Sequence, residues 1–262
     1  MITKNTYEEL GQLISKNVGG TDATGATGLQ TVDYSYNIRG WLKAINDVEN
    51  IGTDLFAFKI NYNEFQAIGS NDIAPNPLYN GNISSTYWKS ASDNLAIRKY
   101  NYSYDDLNRL TDASYLKPEL TENDSNAYDE NLSYDKNGNI KTLKRNGGMN
   151  NSGFPNPIDD LIYTYDTDNK NQLVKVFDDE PSPQGFKDDG DGTTDFNGND
   201  YLYDANGNMT KDDNKGITTI QYNHLNLPTK IDFGTNGNIE YIYTATGQKV
   251  VKKVTENTTI TN

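Results

Sequence analysis

Short runs in which apolar and polar residues alternate recur along this chain, and each run ends at a turn-forming pair. In residues 201–212, YLYDANGNMTKD, Tyr201 and Tyr203 alternate as strand residues, and Asp204 precedes Gly207 by three positions. Aspartate at the first position of a turn and glycine at the fourth are typical of a type I turn. A glycine with positive φ then forms the bulge that closes a β-hairpin. The pattern therefore predicts two antiparallel strands joined by a bulged turn.

The same spacing, with glycine or asparagine four residues after a tyrosine, recurs from one end of the chain to the other. The turn residues assigned on this basis are Tyr104, Asp105 and Asn108; Tyr134, Asp135 and Gly138; Tyr203, Asp204 and Gly207; Tyr222 and Asn226; and Tyr243 and Gly247. Further pairs are Tyr7 and Gly11, Tyr36 and Gly40, and Tyr165 and Asn169. Asparagine is the non-glycine residue that best tolerates positive φ, so one backbone requirement explains both residue types. A two-residue type I′ turn is disfavoured, because Leu10 and Arg39 would then need positive φ as well.

Segments that lack the alternation predict insertion loops at about residues 19–28, 63–77, 117–128, 146–157 and 178–200. A single hairpin is too small to be stable alone, so consecutive hairpins are expected to pair edge to edge. We therefore predict an all-β fold in which consecutive antiparallel β-hairpin repeats form a curved, coiling sheet. The whole of residues 1–262 is expected to be one such repeat segment.

The composition fits an extended sheet better than a compact sphere or a disordered chain. Apolar residues make up 34% of the 262 positions, and mean hydropathy is -0.82, yet there are 19 tyrosines and 8 phenylalanines. Disordered chains are poor in aromatic residues. An extended repeat array needs fewer aliphatic residues because it has more surface per unit of volume.

The net charge of -14 argues against binding to a phosphate backbone, which requires clustered lysine and arginine. We expect the short basic runs at residues 98–99 and 252–253 to lie on solvated strand faces. No cysteine is present, and no apolar stretch approaches the roughly 18 residues of a membrane-spanning helix. The N-terminus lacks the pattern of a signal peptide and runs almost directly into a hairpin. These features predict an excised segment of a longer polypeptide.

Candidate chemistry is sparse. His224, the only histidine, occupies a variable turn position, so we expect a structural or exposed side chain rather than a catalytic base. Asp189, Asp191 and Asp195 alternate with glycine in the way that oxygen ligands of calcium do. The stretch lacks the glutamate of an EF-hand loop, and aspartate and glycine are ordinary loop residues, so a solvated acidic loop without metal is the favoured interpretation. Calcium titration would decide between the two. No cofactor is expected.

The aromatic residues allow two interpretations. Trp41, Trp88 and the tyrosines could form a platform on which sugars stack, which would suit a surface adhesion module. They also follow strand alternation and recur with the hairpins, so cross-strand packing is the favoured explanation. Paired carboxylates of the kind that hydrolyse glycosides are conceivable in a chain with 37 acidic residues. Most repeat aspartates already have a role in turns, and we expect a protein that is not an enzyme.

The units YDANGNMTK, YDKNGNIKT and YDDLNRLTD resemble the tyrosine-aspartate repeats of Rhs/YD-repeat proteins, a family that includes the C component of insecticidal toxin complexes and the teneurins. The stretches YSYNIRGWLKAIND, LYNGNISSTYWK and YTATGQKVVKKV resemble the long Rhs proteins of Bacteroidetes-type bacteria in particular. The resemblance extends from residue 7 to about residue 254.

This resemblance implies a segment of a shell wall, because the repeats of that family form a spiralling sheet that encloses a toxic or effector C-terminal segment. The expected partners are therefore the rest of a parent Rhs polypeptide and its enclosed effector, at a secreted or cell-surface location. The open sheet edges predict some self-association. The DPxGxxGG-like motif with which many family members cleave off the effector has no match in this sequence, so no proteolytic residue is transferred.

Overall fold

The computed structural model describes residues 3–25, 27–119, 126–180, 182–189 and 198–256. Within these ranges the chain forms eighteen β-strands and three short 3-10 helices. The strands are β1 (Thr3–Tyr7), β2 (Leu13–Val18), β3 (Gln30–Tyr36), β4 (Leu42–Ile45), β5 (Phe56–Asn61), β6 (Ser85–Ser90), β7 (Arg98–Tyr104), β8 (Leu110–Leu116), β9 (Glu130–Tyr134), β10 (Ile140–Met149), β11 (Pro155–Tyr165), β12 (Leu173–Asp178), β13 (Tyr201–Tyr203), β14 (Met209–Asp212), β15 (Thr219–Tyr222), β16 (Pro228–Asp232), β17 (Gly237–Tyr243) and β18 (Lys249–Glu256). The 3-10 helices cover Ala91–Asp93, Asp213–Lys215 and Gly234–Asn236.

Strands β1 to β12 follow one another in chain order in a twelve-stranded sheet, β13 and β14 form a two-stranded sheet, and β15 to β18 form a four-stranded sheet. Every strand pair whose register is defined is antiparallel, as in β1 with β2, β7 with β8, and β17 with β18. The predicted all-β fold of consecutive antiparallel hairpins is therefore confirmed.

The chain divides into two compact units, one made of residues 1–132 and 145–156, the other of residues 133–144 and 157–262. Each unit has its own apolar cluster. In the first unit the buried residues are Val48, Ile51, Ala57, Ile68, Tyr87 and Ile97. In the second they are Leu161, Val176 and Tyr201, with Leu143, Tyr163, Leu173, Phe186, Tyr203 and Met209 packed around them.

The repeat tyrosine marks a register shift in each of its hairpins whose register is defined. The shift falls between the residue before the tyrosine and the tyrosine itself, as at Ser103/Tyr104, Leu202/Tyr203 and Ile242/Tyr243. The residue four places later has positive φ: Gly11 84°, Gly40 78°, Asn108 61°, Gly138 94°, Gly207 83°, Asn226 56° and Gly247 84°. These are the conformation and the bulge of a type I turn with a left-handed closing residue.

Asn169 is the exception to this rule. It is not among the positive-φ residues of the described ranges, so the conformation predicted for it was wrong. Tyr165 pairs with Leu173, whereas Tyr203 pairs with Met209, so this hairpin has two extra residues in its turn. The longer connection reverses the chain without a left-handed residue at the asparagine.

The predicted loop at 146–157 is mostly strand, which corrects that boundary. Strand β10 extends to Met149 and β11 begins at Pro155. Between them Asn150 Oδ1 accepts hydrogen bonds from the amides of Ser152 (2.9 Å) and Phe154 (3.1 Å), and Gly153 has a φ of 76°. The turn is therefore built like the others, but its asparagine is not preceded by a tyrosine, and the tyrosine-based pattern missed it.

Candidate functional site

The repeated turn is the structural feature that recurs most often, and its carboxylate is fully engaged. Asp204 Oδ1 accepts the amides of Asn206 and Asn208, both at 2.9 Å, and Oδ2 accepts the Asn208 side-chain amide, also at 2.9 Å. The Asp204 amide bonds to the Asn208 carbonyl (2.9 Å), and the Gly207 amide to the Asp204 carbonyl (3.0 Å). The turn is thus closed by both backbone and side chain, and both carboxylate oxygens accept hydrogen bonds within it.

Other repeats reproduce this arrangement with different residues. Asp105 Oδ1 accepts the amides of Leu107 (2.9 Å) and Arg109 (3.0 Å), and Arg109 Nε donates to Oδ2 at 2.7 Å. Asn223 plays the same part through Oδ1, accepting the amides of Leu225 at 2.9 Å and Leu227 at 3.1 Å. Asparagine can replace aspartate because the turn requires an acceptor oxygen and not a charge.

The hydrogen bonds that hold these carboxylates lower their pKa values. The Arg109 side chain, followed by its backbone amide, holds the pKa of Asp105 below the ordinary 3.8. The side-chain amide of Asn208, followed by its backbone amide, does the same for Asp204. Both carboxylates are therefore stabilised in the charged form.

Six of the repeat tyrosines, together with Tyr62, donate their hydroxyl groups to backbone carbonyls of the preceding hairpin or of the connection before it. The bonds are Tyr36 to Leu13 (2.9 Å), Tyr62 to Leu42 (3.1 Å), Tyr104 to Ile83 (3.0 Å), Tyr165 to Ile140 (2.9 Å), Tyr203 to Leu173 (2.8 Å), Tyr222 to Met209 (2.7 Å) and Tyr243 to Pro228 (2.9 Å). We call this set of seven bonds the tyrosine ladder.

The ladder has a fixed register in the second unit. Leu173 is the residue that pairs with Tyr165, and Met209 is the residue that pairs with Tyr203. Each tyrosine therefore bonds to the first return-strand residue of the hairpin before it, next to the bulge of that hairpin. Burial raises the pKa of Tyr165, Tyr203 and Tyr222, which keeps the phenol a hydrogen-bond donor. Sequence reasoning assigned these tyrosines to packing and missed the hydroxyl, although the choice of tyrosine over phenylalanine was a signal that could have revealed it.

One buried ion pair lies outside the repeat pattern. Lys99 Nζ is 2.6 Å from Asp72 Oδ1, and both side chains are fully buried. Tyr87 Oη and the Ile68 amide each donate to Asp72 Oδ2 at 2.8 Å, and Lys99 Nζ also bonds to the Ile73 carbonyl. The loop after β5 is thereby fixed to strands β6 and β7. Lys99 was predicted to lie on a solvated strand face and is instead buried. The pair was missed because its partner, Asp72, lies in a loop that carries no sequence pattern.

Burial lowers the pKa of Lys99, and the Asp72 carboxylate opposes that effect. Burial also raises the pKa of Tyr87, with the hydrogen bond to Asp72 adding to it. The three groups form a charged pair with a neutral phenol in a site without access for a substrate. Their arrangement suits a structural lock.

The tryptophans are mostly engaged in aromatic contacts. Trp88 stacks on Tyr100 with ring centroids 5.7 Å apart, and its ring lies 6.1 Å from that of Tyr115. Trp41 lies 5.1 Å from Tyr62 and lines an open cleft of about 400 Å³ that also includes the exposed Tyr79. A larger open cleft, about 1260 Å³, is lined chiefly by the polar turn residues around Asn171 and Asn206.

The predicted chemical residues are not brought together. His224 is exposed in its turn. Asp189 is described, whereas Asp191 and Asp195 lie outside the described residues. Within the described ranges, no group of three or more His, Cys, Asp or Glu residues is placed to hold a metal ion. In the same ranges, no helix is both long and apolar enough to span a membrane.

Bulged hairpins joined by the tyrosine ladder define a tandem-repeat β-scaffold. No family model matches the chain, and no curated protein matches it. In structure it is similar to chains in the crystal structures of TcdB2-TccC3-Cdc42 and TcdB2-TccC3, each with a TM-score of 0.54, at 13% and 14% sequence identity. The matches cover 98% and 96% of this chain but only 12% and 13% of those chains. This chain has the fold of that part of the toxin-complex proteins, and the likeness supports the Rhs/YD-repeat relationship predicted from the repeats.

Proposed function

We propose that this chain is a non-catalytic wall segment of an Rhs/YD-repeat shell, which in a longer secreted bacterial polypeptide encloses a C-terminal toxin or effector. The observation that carries the proposal is the tyrosine ladder, in which the hydroxyl of Tyr203 bonds to Leu173 and that of Tyr222 to Met209. The turn carboxylate of Asp204 is likewise consumed within its own hairpin. The residues that recur most regularly therefore close each hairpin and connect it to the one before, as expected of a structural wall segment.

Mechanistically, such a wall works by exclusion. Hairpins packed side by side would keep a protease or another solvent-borne partner from reaching an enclosed segment. On this mechanism the cargo needs no dedicated binding site. The proposed partners are the remainder of the same polypeptide and its enclosed segment.

The test is protease protection in the full-length polypeptide. A protease site is inserted into the C-terminal segment, and its cleavage is followed with and without the paired substitution Tyr203→Phe/Tyr222→Phe. Protection in the parent and faster cleavage in the variant are expected. Cleavage of the parent at the rate of the isolated C-terminal segment would show that this segment is not enclosed.

A second candidate is a surface adhesion module that binds glycans. The favouring observation is the cleft beside Trp41, where Tyr79 is 72% exposed. A glycan array decides between the two functions. Reproducible binding that is lost in Trp41→Ala or Trp88→Ala would favour adhesion, and an array without reproducible binding would leave the shell as the better function.

Self-association through sheet edges is a further part of the proposal. Strand β1 ends one sheet order and β18 ends another, and both consist almost entirely of exposed residues. Unpaired edge strands can pair with another copy, although the net charge of -14 opposes association. Light scattering at rising protein concentration should show a growing mass, and a constant monomer mass would contradict this part.

A further inference from the structure

Each bond of the tyrosine ladder is accompanied by a fixed strand register. In four places the residue two positions after the acceptor pairs with the residue three positions before the tyrosine. The pairs are Ser15 with Asp33, Ala44 with Lys59, Ser85 with Asn101, and Lys230 with Glu240, beside the bonds of Tyr36, Tyr62, Tyr104 and Tyr243. The rule holds in each of the two units, so a ladder bond specifies how two neighbouring hairpins pair.

The first hairpin of the chain presents a repeat tyrosine at a free edge. Tyr7 pairs with Leu13 after a register shift, as the repeat tyrosines of other hairpins do with their return strands. Among the described residues its hydroxyl accepts a bond from the Asn5 side chain (3.0 Å) and donates to no carbonyl, and the residue is 56% exposed. Strand β1 begins the order of its sheet, and all its residues are exposed. The donor of a ladder bond is thus available at this edge.

The last hairpin presents the matching acceptor. Lys249 pairs with Tyr243 and is the first return-strand residue, the position at which Met209 accepts the ladder bond of Tyr222. Within the described ranges, no tyrosine hydroxyl donates to the Lys249 carbonyl. Strand β18 ends the order of the four-stranded sheet, and nearly all its residues are exposed. This edge therefore offers the acceptor of a ladder bond.

The turns of the two hairpins are matched as well. Gln12, five residues after its tyrosine, donates its side-chain amide to the carbonyl of Gly40 in the next turn at 3.3 Å. Gln248 also lies five residues after its tyrosine, and its side-chain amide has no hydrogen-bond partner in the part of the chain that the structure describes. Gly11 occupies the position of Gly40, four residues after the tyrosine. The last and first turns therefore carry the donor and the acceptor of the same contact.

We propose that the first hairpin of a second copy docks on the last hairpin, with the Tyr7 hydroxyl of that copy donating to the Lys249 carbonyl. The tyrosine ladder then continues from one copy to the next. This contact gives a defined register to the edge pairing of the proposed function, on which it rests. By the pairing rule, Lys4 of the second copy lies opposite Val251 in an antiparallel pair.

The charges near this position are compatible with the pairing. Lys253 lies two residues after Val251 on the same strand face and would therefore be diagonal to Lys4. Its ammonium is 3.0 Å from Glu240 Oε2 on the neighbouring strand, and this carboxylate offsets the repulsion between the two lysines.

The experiment is disulfide trapping, which is clean because the chain has no cysteine of its own. A chain with Lys4→Cys is mixed with a tagged chain with Val251→Cys, and mild oxidation is followed on non-reducing gels. Directly opposed residues of antiparallel strands have Cα atoms about 4.5–5.5 Å apart, within the range that a disulfide spans. The matched control is Val254→Cys, a valine that is 53% exposed against 43% for Val251 but lies on the opposite face of β18.

The Lys4→Cys and Val251→Cys chains should form a mixed disulfide dimer, and the control pair should react no faster than the same chains in urea. In the cysteine-free chain, Tyr7→Phe should raise the dissociation constant in sedimentation equilibrium about fivefold, the equivalent of one hydrogen bond, and Tyr79→Phe should leave it unchanged.

Equal trapping of the control pair, or faster trapping of Lys4→Cys with itself, would overturn this register while leaving edge pairing of another kind. An unchanged dissociation constant in Tyr7→Phe would also overturn it. A monomeric mass at every concentration would contradict both this contact and the edge pairing. Enclosure of a C-terminal segment is tested separately, by protease protection, so the failure of one is distinguishable from the failure of the other.

Discussion

Removing two hydroxyl groups of the tyrosine ladder should destabilise the protein by a predictable amount. Tyr203 and Tyr222 donate to the carbonyls of Leu173 (2.8 Å) and Met209 (2.7 Å), and the two bonds share no atom. Phenylalanine keeps each ring and deletes only the donor. A net intramolecular hydrogen bond contributes about 1 kcal/mol, so each single variant should lose about that amount from its free energy of unfolding. The two losses should sum to about 2 kcal/mol in Tyr203→Phe/Tyr222→Phe if they are additive. Because Met209, the acceptor of Tyr222, pairs with Tyr203, a departure from that sum measures the coupling between the two sites.

The measurement is urea unfolding followed by far-ultraviolet circular dichroism, with thermal melting as a second readout. For a chain of this size, each kcal/mol should lower the melting temperature by about 2–4 °C. The control is Tyr79→Phe, because Tyr79 is 72% exposed and its hydroxyl has no hydrogen-bond partner among the described residues. If the double variant unfolds at the same urea concentration as this control, the hydrogen bonds of the tyrosine ladder do not stabilise the protein, and the reasoning is refuted.

Four further predictions concern single sites. Burial raises the pKa of Tyr201 from 10.0 to about 12. The stability that depends on the neutral phenol is therefore present below pH 10 and is lost as the pH rises toward 12. Urea midpoints measured across that range should fall less steeply in Tyr201→Phe than in the parent. Because the pKa of Asp204 is lowered, its contribution to the free energy of unfolding is present above pH 3.8 and is lost as the pH falls below that value. The melting temperature of Asp204→Asn should therefore fall less on acidification than that of the parent. An equal fall in both proteins would refute the assignment. Gly207 has a φ of 83°, and no atom lies near the position of a Cβ, so a substitution there changes only the backbone strain. Gly207→Ala should therefore lower the free energy of unfolding in urea by roughly 1–2 kcal/mol, and Gly207→Asn by clearly less. Equal losses in the two variants would contradict this explanation. Asp72→Asn leaves the Lys99 ammonium buried without its counter-ion and should cost about 3–5 kcal/mol, whereas Asp72→Leu/Lys99→Met should unfold at a higher urea concentration than the single variant.

The turns could be predicted from sequence because their cause is local. The positive φ of Gly207 and of Asn226 follows from a spacing that lies within five residues. The turn from Asn150 to Gly153 obeys the same local rule but was missed, because the search was tied to a preceding tyrosine.

The lock and the ladder could not be predicted in the same way, because their partners are far apart in sequence. Lys99 and Asp72 are 27 residues apart, and Asp72 lies in a loop without alternation. Nothing in a strand pattern distinguishes a lysine that points to solvent from one that meets a carboxylate from a distant loop. The ladder acceptor is a backbone carbonyl, which has no sequence signature at all.

The ladder also explains how this fold tolerates long insertions. Tyr222 reaches its acceptor across 13 residues of chain, whereas Tyr203 reaches its acceptor across 30, yet the two bonds measure 2.7 Å and 2.8 Å. The bond depends on the position of the preceding hairpin and not on the length of the connection, and lengthening a loop adds little closure entropy. A connection such as the one between β12 and β13 can therefore be long while the hairpins on either side keep their register.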